Sequence, residues 1–390
     1  MKNLRLWCLV ALAAAVWAAA ASPAAAAPGP AAAPGPAATA DAYLRARAAA
    51  VMAADPAAVL APWTVRGCGV TAAEAAMARG MAKQAASLQH LLDSVTCEAT
   101  VQDVEPGWIT GNTAVVHAHV ITTARWHAPN GGSSVEASGV DHVVTLTRSG
   151  NAWLVLADSY SDELTPAYLE AAGVKPAKVR AAGRLLEHAA RAHADPMPSV
   201  TAPGAAQPGT QARQPWSPVA PRRYSDILVY DRDGAQAYAD RYALSYNPAY
   251  VRFSADCADF ASQSARAGGM PTNMGSYSSG WWYDKKGTSS PADDSYSLSW
   301  INVTKQNSFW NGLRTDWVSS ISGLSRGDLV YYDWTGDGTW DHAAVVAGTN
   351  SAGQKVVDAH TTDLYHVYWK LGYSTTQYRY AHVRPQWVVG

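Results

Sequence analysis

The sequence has no excess of charge of either sign. Its 390 residues include 30 lysines and arginines against 31 aspartates and glutamates, which gives a formal net charge of −1. Proteins that bind nucleic acid or an anionic membrane through bulk electrostatics carry a clear positive excess. The balance therefore argues against both partners, and the length leaves room for two or three domains.

Hydrophobic runs of membrane-spanning length are absent beyond the N-terminus. Residues 1–27 combine Lys2 and Arg5 with an apolar core from Leu6 to Ala21, and small residues at 25–27 suit signal peptidase. The apolar run is short and alanine-rich for a transmembrane anchor. We therefore predict a signal peptide and a secreted or cell-wall-associated protein that has no membrane contact after cleavage.

Cysteine is scarce, and one of the four cysteines, Cys8, is lost with the predicted signal peptide. In an oxidising exterior Cys68 and Cys97, both in the N-terminal region, are expected to form a disulfide. Cys257 is then left without an evident partner, and an odd thiol in an exported protein is either reactive or forms an intermolecular bond. A disulfide from Cys257 to Cys68 or Cys97 is the alternative.

Residues 41–195 are predicted to form an α+β domain of unknown role. Helical patterns at 41–54 and 72–92 precede strand patterns between Glu98 and Ser159, and turn signals separate the strands. A further helical pattern covers 167–194. We expect helices on one face of a curved antiparallel sheet, as in cystatin-like or NTF2-like modules, a likeness that implies no ligand.

Two low-complexity stretches flank this domain. Residues 28–40 are rich in alanine and proline and are predicted to be a disordered tether. Residues 196–222 are rich in proline, glycine and small polar residues and bury too little apolar surface to fold, so we interpret them as a linker. Residues 223–390 form the last domain.

The stretch around Cys257 predicts a short helix that begins at the cysteine. Apolar or small residues recur at helical spacing from Cys257 to Ala267, and Gly268 and Gly269 end the pattern. With either Ser254 or Asp256 as N-cap, Cys257 falls in the first turn, where free N–H groups and the helix dipole favour a nucleophilic thiolate. The alternative is a small buried core cysteine.

Two later strand patterns suggest a histidine pair. Residues 342–348 and 355–361 are predicted to form a hairpin with a loop of residues 349–353. This register places His342 directly opposite His360, with Cβ atoms about 5 Å apart on one face of the sheet. A loop of even length would turn one of the two histidines to the other face.

A cysteine at a helix start, a histidine on a strand and a polar residue on the neighbouring strand are what thiol acyl chemistry requires. The histidine takes the thiol proton and returns it to the leaving amine, while the third residue fixes the tautomer. Cys257, His342 and His360 are therefore the candidate catalytic residues, and no cofactor is expected. Rivals for the third role are Asp341, Asp358 and Asp363.

The last domain also resembles a known family. Residues 256–263, DCADFASQ, are similar to the D-C-T-N-F-x-S-Q pattern of the bacterial putative amidase domain, with Ala258 and Asp259 in place of the usual Thr and Asn. Further matches are Trp281 to Tyr283, Ser297 to Trp300, Gly327 to Leu329 and Asp341-His342. More distantly, the order Cys, His, His resembles the NlpC/P60 papain-like cysteine peptidases.

The resemblance implies a papain-like α+β fold for residues 223–390. It assigns Cys257 as nucleophile, His342 as general base and acid, and His360 as the orienting residue. The implied activity is hydrolysis of an amide bond through a thioester, and predicted export favours peptides of a peptidoglycan-like cell wall as substrate. The alternative is an inactive papain-like domain in a wall-binding or carbohydrate-binding protein.

Two weaker patterns point to metal ions. The segment from Asp333 to Asp341 partly matches a calcium loop, but Ala344 stands where the loop needs a bidentate glutamate. His117 and His119 alternate along one strand without a third ligand at suitable spacing. We therefore predict no metal at either place.

Overall fold

The computed structural model describes residues 34–106, 112–160, 162–175, 223–224, 227–287 and 290–388. The predicted signal peptide, the predicted linker and most of the predicted helix 167–194 lie outside these ranges. The first helix begins at Pro36, so the end of the predicted tether is helical, and Ala40 is fully buried. Among the described helices, none combines the length and the apolar character needed to cross a membrane.

Residues 34–175 pack helices against long antiparallel strands, as the change of sequence period predicts. The helices are α1 Pro36–Val51, α2 Pro56–Leu60, α3 Val70–Ser87 and α4 Thr165–Ala171. The strands are β1 Leu91–Pro106, β2 Thr113–His127, β3 Ser133–Ser149 and β4 Ala152–Ser159. Buried residues alternate with half-buried ones along the first half of β2, because one face of the sheet packs on the helices.

Residues 223–388 are a second mixed region. Its helices are α5 Arg232–Tyr242, α6 Cys257–Ala267, α7 Leu298–Ile301 and α8 Val303–Trp310. Its short strands are β5 Arg223–Tyr224, β6 Ile227–Val229, β7 Tyr283–Asp284, β8 Ser295–Tyr296, β9 Thr315–Val318 and β15 Gln386–Val388. The central strands are β10 Leu329–Asp333, β11 His342–Thr349, β12 Lys355–Ala359, β13 Asp363–Tyr368 and β14 Gln377–Val383.

The central strands carry a hydrophobic core on each face. One face packs against α6 through residues such as Phe260, Tyr331 and Val345, and the buried indoles of Trp281 and Trp300 belong to this core. The other face carries a second core. Ala343 and Val345 of β11 belong to the first core together with Phe260, so the first residues of β11 pack close to α6.

One open antiparallel sheet runs through both regions in the order β1-β2-β3-β13-β12-β11-β10-β14-β9, with β4 also on β3. The junction is a pairing of β3 with β13, in which residues 137–139 stand opposite residues 363–365. A Cβ at Gly139 would lie 3.1 Å from the Cβ of Asp363, so a larger residue at this position would require the two strands to shift slightly. Local patterns do not specify such a pairing, so it could not be predicted from the amino-acid sequence.

The hairpin of β11 and β12 forms as predicted but in another register. The strands leave the loop with Gly348 opposite Val356 and not opposite the predicted Gln354, and a β-bulge between Val346 and Gly348 then shifts the pairing by one residue, so that Val345 stands opposite Asp358. The predicted opposition of His342 and His360 is therefore wrong, because one extra residue on a strand turns its following side chains to the other face. The ring of His360 instead stacks on Phe260 of α6 at 4.1 Å.

Candidate active site

Cys257 is the first residue of α6, at the place the sequence predicts. Asp256 is the N-cap, but its carboxylate makes no capping bond. Instead it accepts a hydrogen bond from the Phe253 N–H at 2.9 Å and lies 2.7 Å from Nδ1 of His360. The cysteine side chain is 4% exposed. The N-cap residue therefore links the start of α6 to the end of β12.

The surroundings of the Cys257 thiol keep it protonated in this conformation. Burial, with a smaller contribution from the nearby carboxylates of Glu163 and Asp256, raises the pKa of Cys257 to about 11. Hydrogen bonds from the backbone N–H of Ala343 and from Thr361 lower the pKa, but by less than burial raises it. The expected preference of the helix start for a thiolate is overridden here, because the thiol is out of water.

His342, the first residue of β11, is buried with 2% of its surface exposed. Its ring lies 5.4 Å from the ring of Tyr332 and 5.5 Å from that of Trp334. Burial lowers the pKa of His342 to about 3. Nε2 is buried and has no hydrogen-bond partner among the residues that the structure describes. The imidazole is therefore neutral, with one nitrogen available as a proton acceptor.

Glu163, from the segment before α4, reaches both residues. Its Oε1 lies 3.8 Å from Nδ1 of His342, and its charge raises the pKa of the Cys257 thiol. The side chain hydrogen-bonds to Thr362, and its backbone carbonyl accepts from the N–H of Gly372 at 3.2 Å. Burial raises the pKa of Glu163 to about 7. We call this arrangement the closed site.

Sequence reasoning missed Glu163. It lies 94 positions before Cys257 by the numbering, in the other region, and belongs to no motif. The neighbouring Leu164 packs on the second core of the central strands. Only the folding of the N-terminal region onto the sheet brings Glu163 to the start of β11, and no local signal in the sequence could have found it.

His360 is fixed by two partners that are not His342. Nδ1 lies 2.7 Å from Oδ2 of Asp256, and Nε2 lies 2.7 Å from the carbonyl oxygen of Tyr242. Both acceptors require an N–H donor, and the His360 ring stacks on Phe260. In this structure neither ring nitrogen is directed at His342, so His360 braces the start of α6 instead.

The three rival aspartates hold other partners. Asp358 accepts from the N–H of His366 at 2.7 Å, Asp363 accepts from the Tyr246 hydroxyl at 2.9 Å, and Asp341 accepts from the N–H of Trp334 at 2.8 Å. Asp333, at the start of the loop that resembles a calcium site, accepts from the N–H groups of Gly336 and Gly338 at 2.7 Å each. This loop uses its carboxylates to hold its own backbone.

Asp259, where the chain departs from the family pattern, points away from the thiol into the core. It is fully buried and accepts from Nε1 of Trp300 at 2.5 Å and from Nε2 of Gln263 at 2.7 Å. Burial, with the nearby charge of Asp256, raises the pKa of Asp259 well above its usual range. The hydrogen bond from Trp300 to Asp259 anchors α6 to α7.

Cys68 and Cys97 are free thiols, so the predicted disulfide is not formed in this structure. Cys97 is buried in β1 within the core beneath α1, whereas Cys68 is half-buried with its sulfur 3.9 Å from the carbonyl oxygen of Val155. The two side chains therefore belong to different surroundings. The pairing inferred from the cysteine count is therefore absent from this structure.

Two relatives from Bacillus subtilis (strain 168) resemble the chain, and both are called uncharacterized. YhbB is 33% identical over 173 residues, which are 41% of this chain and 52% of YhbB. YjcM is 30% identical over 152 residues, which are 36% of this chain and 32% of YjcM. The chain thus spans about half of one relative and a third of the other. No solved structure matches it significantly.

The profile of one protein family, the putative amidase domain, matches residues 229–383. The matched range contains Cys257, His342 and His360 but not Glu163, which belongs to the N-terminal region. The match supports the resemblance seen in the sequence and suggests an amidase-like function for this part of the chain.

Proposed function

We propose that residues 229–383 form a cysteine-dependent amidase with Cys257 as nucleophile and His342 as general base and acid. The observation that carries this proposal is the closed site, in which the Glu163 carboxylate lies 3.8 Å from the His342 imidazole and is close enough to the Cys257 thiol to raise its pKa. A neutral imidazole with an unpartnered, buried nitrogen is suited to take a proton. The match to an amidase family supports the reaction class.

The reaction balances with these two residues and water. His342 accepts the thiol proton, and the sulfur forms a bond to the amide carbon while the carbonyl electron pair moves to oxygen. The C–N bond then breaks, the amine leaves with the proton from His342, and a thioester remains. Water attacks the thioester, His342 accepts and returns its proton, and the carboxylic acid and the thiol are released.

The start of α6 supplies electrostatic help for the oxyanion. The first N–H groups of a helix have no partner within the helix. The N–H of Cys257 would donate to the oxygen that becomes negative during attack. His360 acts as a positioning residue in this proposal, because its bond to Asp256 fixes the N-cap from which that N–H projects.

Peptides of a peptidoglycan-like cell wall are the proposed substrate, on the basis of predicted export and family resemblance. The test is digestion of purified wall fragments by the full chain, with mass analysis of the products. Cys257→Ala and His342→Ala are expected to lower product release by at least ~1000-fold. Cys68→Ala, which removes a thiol remote from the site, is the matched control. Equal product release by Cys257→Ala and the wild type would refute a cysteine mechanism.

A wall-binding or carbohydrate-binding protein without catalysis is the second candidate, and the raised pKa of the buried Cys257 favours it. Labelling with iodoacetamide at mildly acid pH distinguishes the two, provided that the closed site is opened by Glu163→Ala. Rapid labelling that is lost on adding His342→Ala supports the enzyme. Slow labelling that is indifferent to His342 supports the binding protein.

A further inference from the structure

A second cluster of ionisable side chains lies away from the closed site. Asp240 comes from the last turn of α5, Asp358 from β12 and His366 from β13. One donor atom from each residue lies within 4.8 Å of the others. Three separate elements of the fold therefore converge on this point.

The buried carboxylate of Asp358 favours a positive charge within the cluster. Its side chain is fully buried, and Oδ1 accepts from the N–H of His366 at 2.7 Å. Oδ2 is buried without a hydrogen-bond partner in the described part of the chain. A buried carboxylate oxygen without a partner, next to the second carboxylate of Asp240, is strongly unfavourable unless a proton or a cation lies between them.

The other two side chains give a route to solvent. Asp240 is 32% exposed and His366 is 28% exposed, so the cluster is buried at its base and open at its rim. Nε2 of His366 lies 2.9 Å from Oδ1 of Asp240. Two ligands of one zinc ion at ~2.1 Å in tetrahedral geometry lie about 3.4 Å apart, so a small shift would admit an ion between them.

We propose that Asp240, Asp358 and His366 bind one divalent transition-metal ion of the zinc class. Two carboxylate oxygens and one imidazole nitrogen are a donor set for zinc, with water as the fourth ligand. Calcium and magnesium are disfavoured because both prefer oxygen ligands alone. Two residues after Asp240 and Asp358 come Tyr242 and His360, which are hydrogen-bonded to each other. The ion would thus fasten α5 to the strand end that carries His360.

The test is zinc binding by the chelator-treated full chain, measured by calorimetry and by metal analysis after dialysis. A Cys257→Ala background removes the thiol of the candidate active site as a competing ligand. We expect one zinc per chain, and at least ~100-fold weaker binding in His366→Ala and Asp240→Asn. The matched control is His119→Ala, because His119 is paired with Asp141 at 2.8 Å in a similar but more exposed arrangement. This control is expected to bind zinc like its parent.

The variant Asp358→Asn distinguishes a bound metal ion from a proton that is shared between the carboxylates of Asp358 and Asp240. Zinc is expected to raise the unfolding temperature of the parent protein but not of Asp358→Asn. Unchanged zinc affinity in His366→Ala, or the absence of a stoichiometric zinc, would overturn the proposal. If Asp358→Asn does not fold, the Asp240 and His366 variants decide alone, because both side chains reach the surface.

Discussion

Oε1 of Glu163 lies 3.8 Å from Nδ1 of His342. Glu163 belongs to the N-terminal region, whereas His342 is the first residue of β11. The contact therefore joins the two regions at the candidate active site. In the proposed enzyme this contact belongs to the closed site. In that conformation the Cys257 thiol is 4% exposed, so a substrate carbonyl cannot reach it.

Removal of the Glu163 carboxylate is expected to make Cys257 more reactive. Glu163→Ala takes away a negative charge that raises the thiol pKa and a buried side chain that lies beside His342. The rate of iodoacetamide labelling at Cys257, followed by peptide mass spectrometry, should therefore rise several-fold above that of the wild type.

Glu136→Gln is the matched control for this variant. Burial raises the pKa of Glu136 to about 7, as it does for Glu163, but Glu136 is not a neighbour of Cys257. The labelling rate of Cys257 in Glu136→Gln is expected to equal that in the wild type. Equal rates in Glu163→Ala and the wild type would show that Glu163 does not close the site.

The closed site is expected to weaken as the pH rises. The pKa of Glu163 is raised from 4.5 to about 7, so the closed conformation holds the proton more tightly than an open one. Between these two values each rise in pH favours opening, and above pH 7 the full penalty, on the order of 3 kcal/mol, applies. Wild-type labelling should therefore climb between pH 5 and 8 more steeply than in Glu163→Gln, whose pH profile reports thiol ionisation alone. Parallel profiles would contradict this.

His360→Ala is expected to destabilise the protein by ~3–5 kcal/mol, because it leaves the buried Asp256 carboxylate without its partner. Asp256→Asn is the informative comparison. A neutral His360 ring can accept from the new amide and still donate to Tyr242, so the loss should be about 1 kcal/mol. Urea unfolding measures both. Similar losses in the two variants would show that the ring stabilises by packing and not by this hydrogen bond.

Gly80→Ala is expected to displace α4. An added Cβ would lie 1.8 Å from the carbonyl oxygen of Tyr168, so the usual gain of alanine over glycine in a helix is reversed. The expected loss of stability is ~1–3 kcal/mol. Because α4 begins two residues after Glu163, labelling of Cys257 should also rise. Lys83→Gly, at an exposed position of α3, should lose up to ~1 kcal/mol without faster labelling.

The sequence predicted the features that local patterns determine. The start of α6 at Cys257 follows from helical spacing and a glycine stop, and the long strands β2 and β3 follow from alternation and turn residues. The β11–β12 hairpin was also predicted. Its register was not, because a bulge within a strand leaves no mark in the pattern of apolar residues.

Features that depend on distant parts of the chain escaped prediction. Glu163 and His342 are brought together only by tertiary folding, and so are Asp240 and His366. His360 was predicted to orient His342, but its ring is bonded to Asp256, which the sequence suggested only as a helix cap. Burial reverses the expected thiolate character of Cys257, and burial at a helix start is not readable from the helix alone.

The short pairing of residues 137–139 with residues 363–365 has a consequence for any shorter form of this protein. In the whole chain residues 363–365 of β13 pair with β3, so their backbone groups are not offered to other molecules. A fragment that lacked the N-terminal region would present β13 as a bare sheet edge, a template for pairing between chains. In such a fragment the Cys257 thiol is expected to become accessible, and at the same time the fragment is expected to become less soluble.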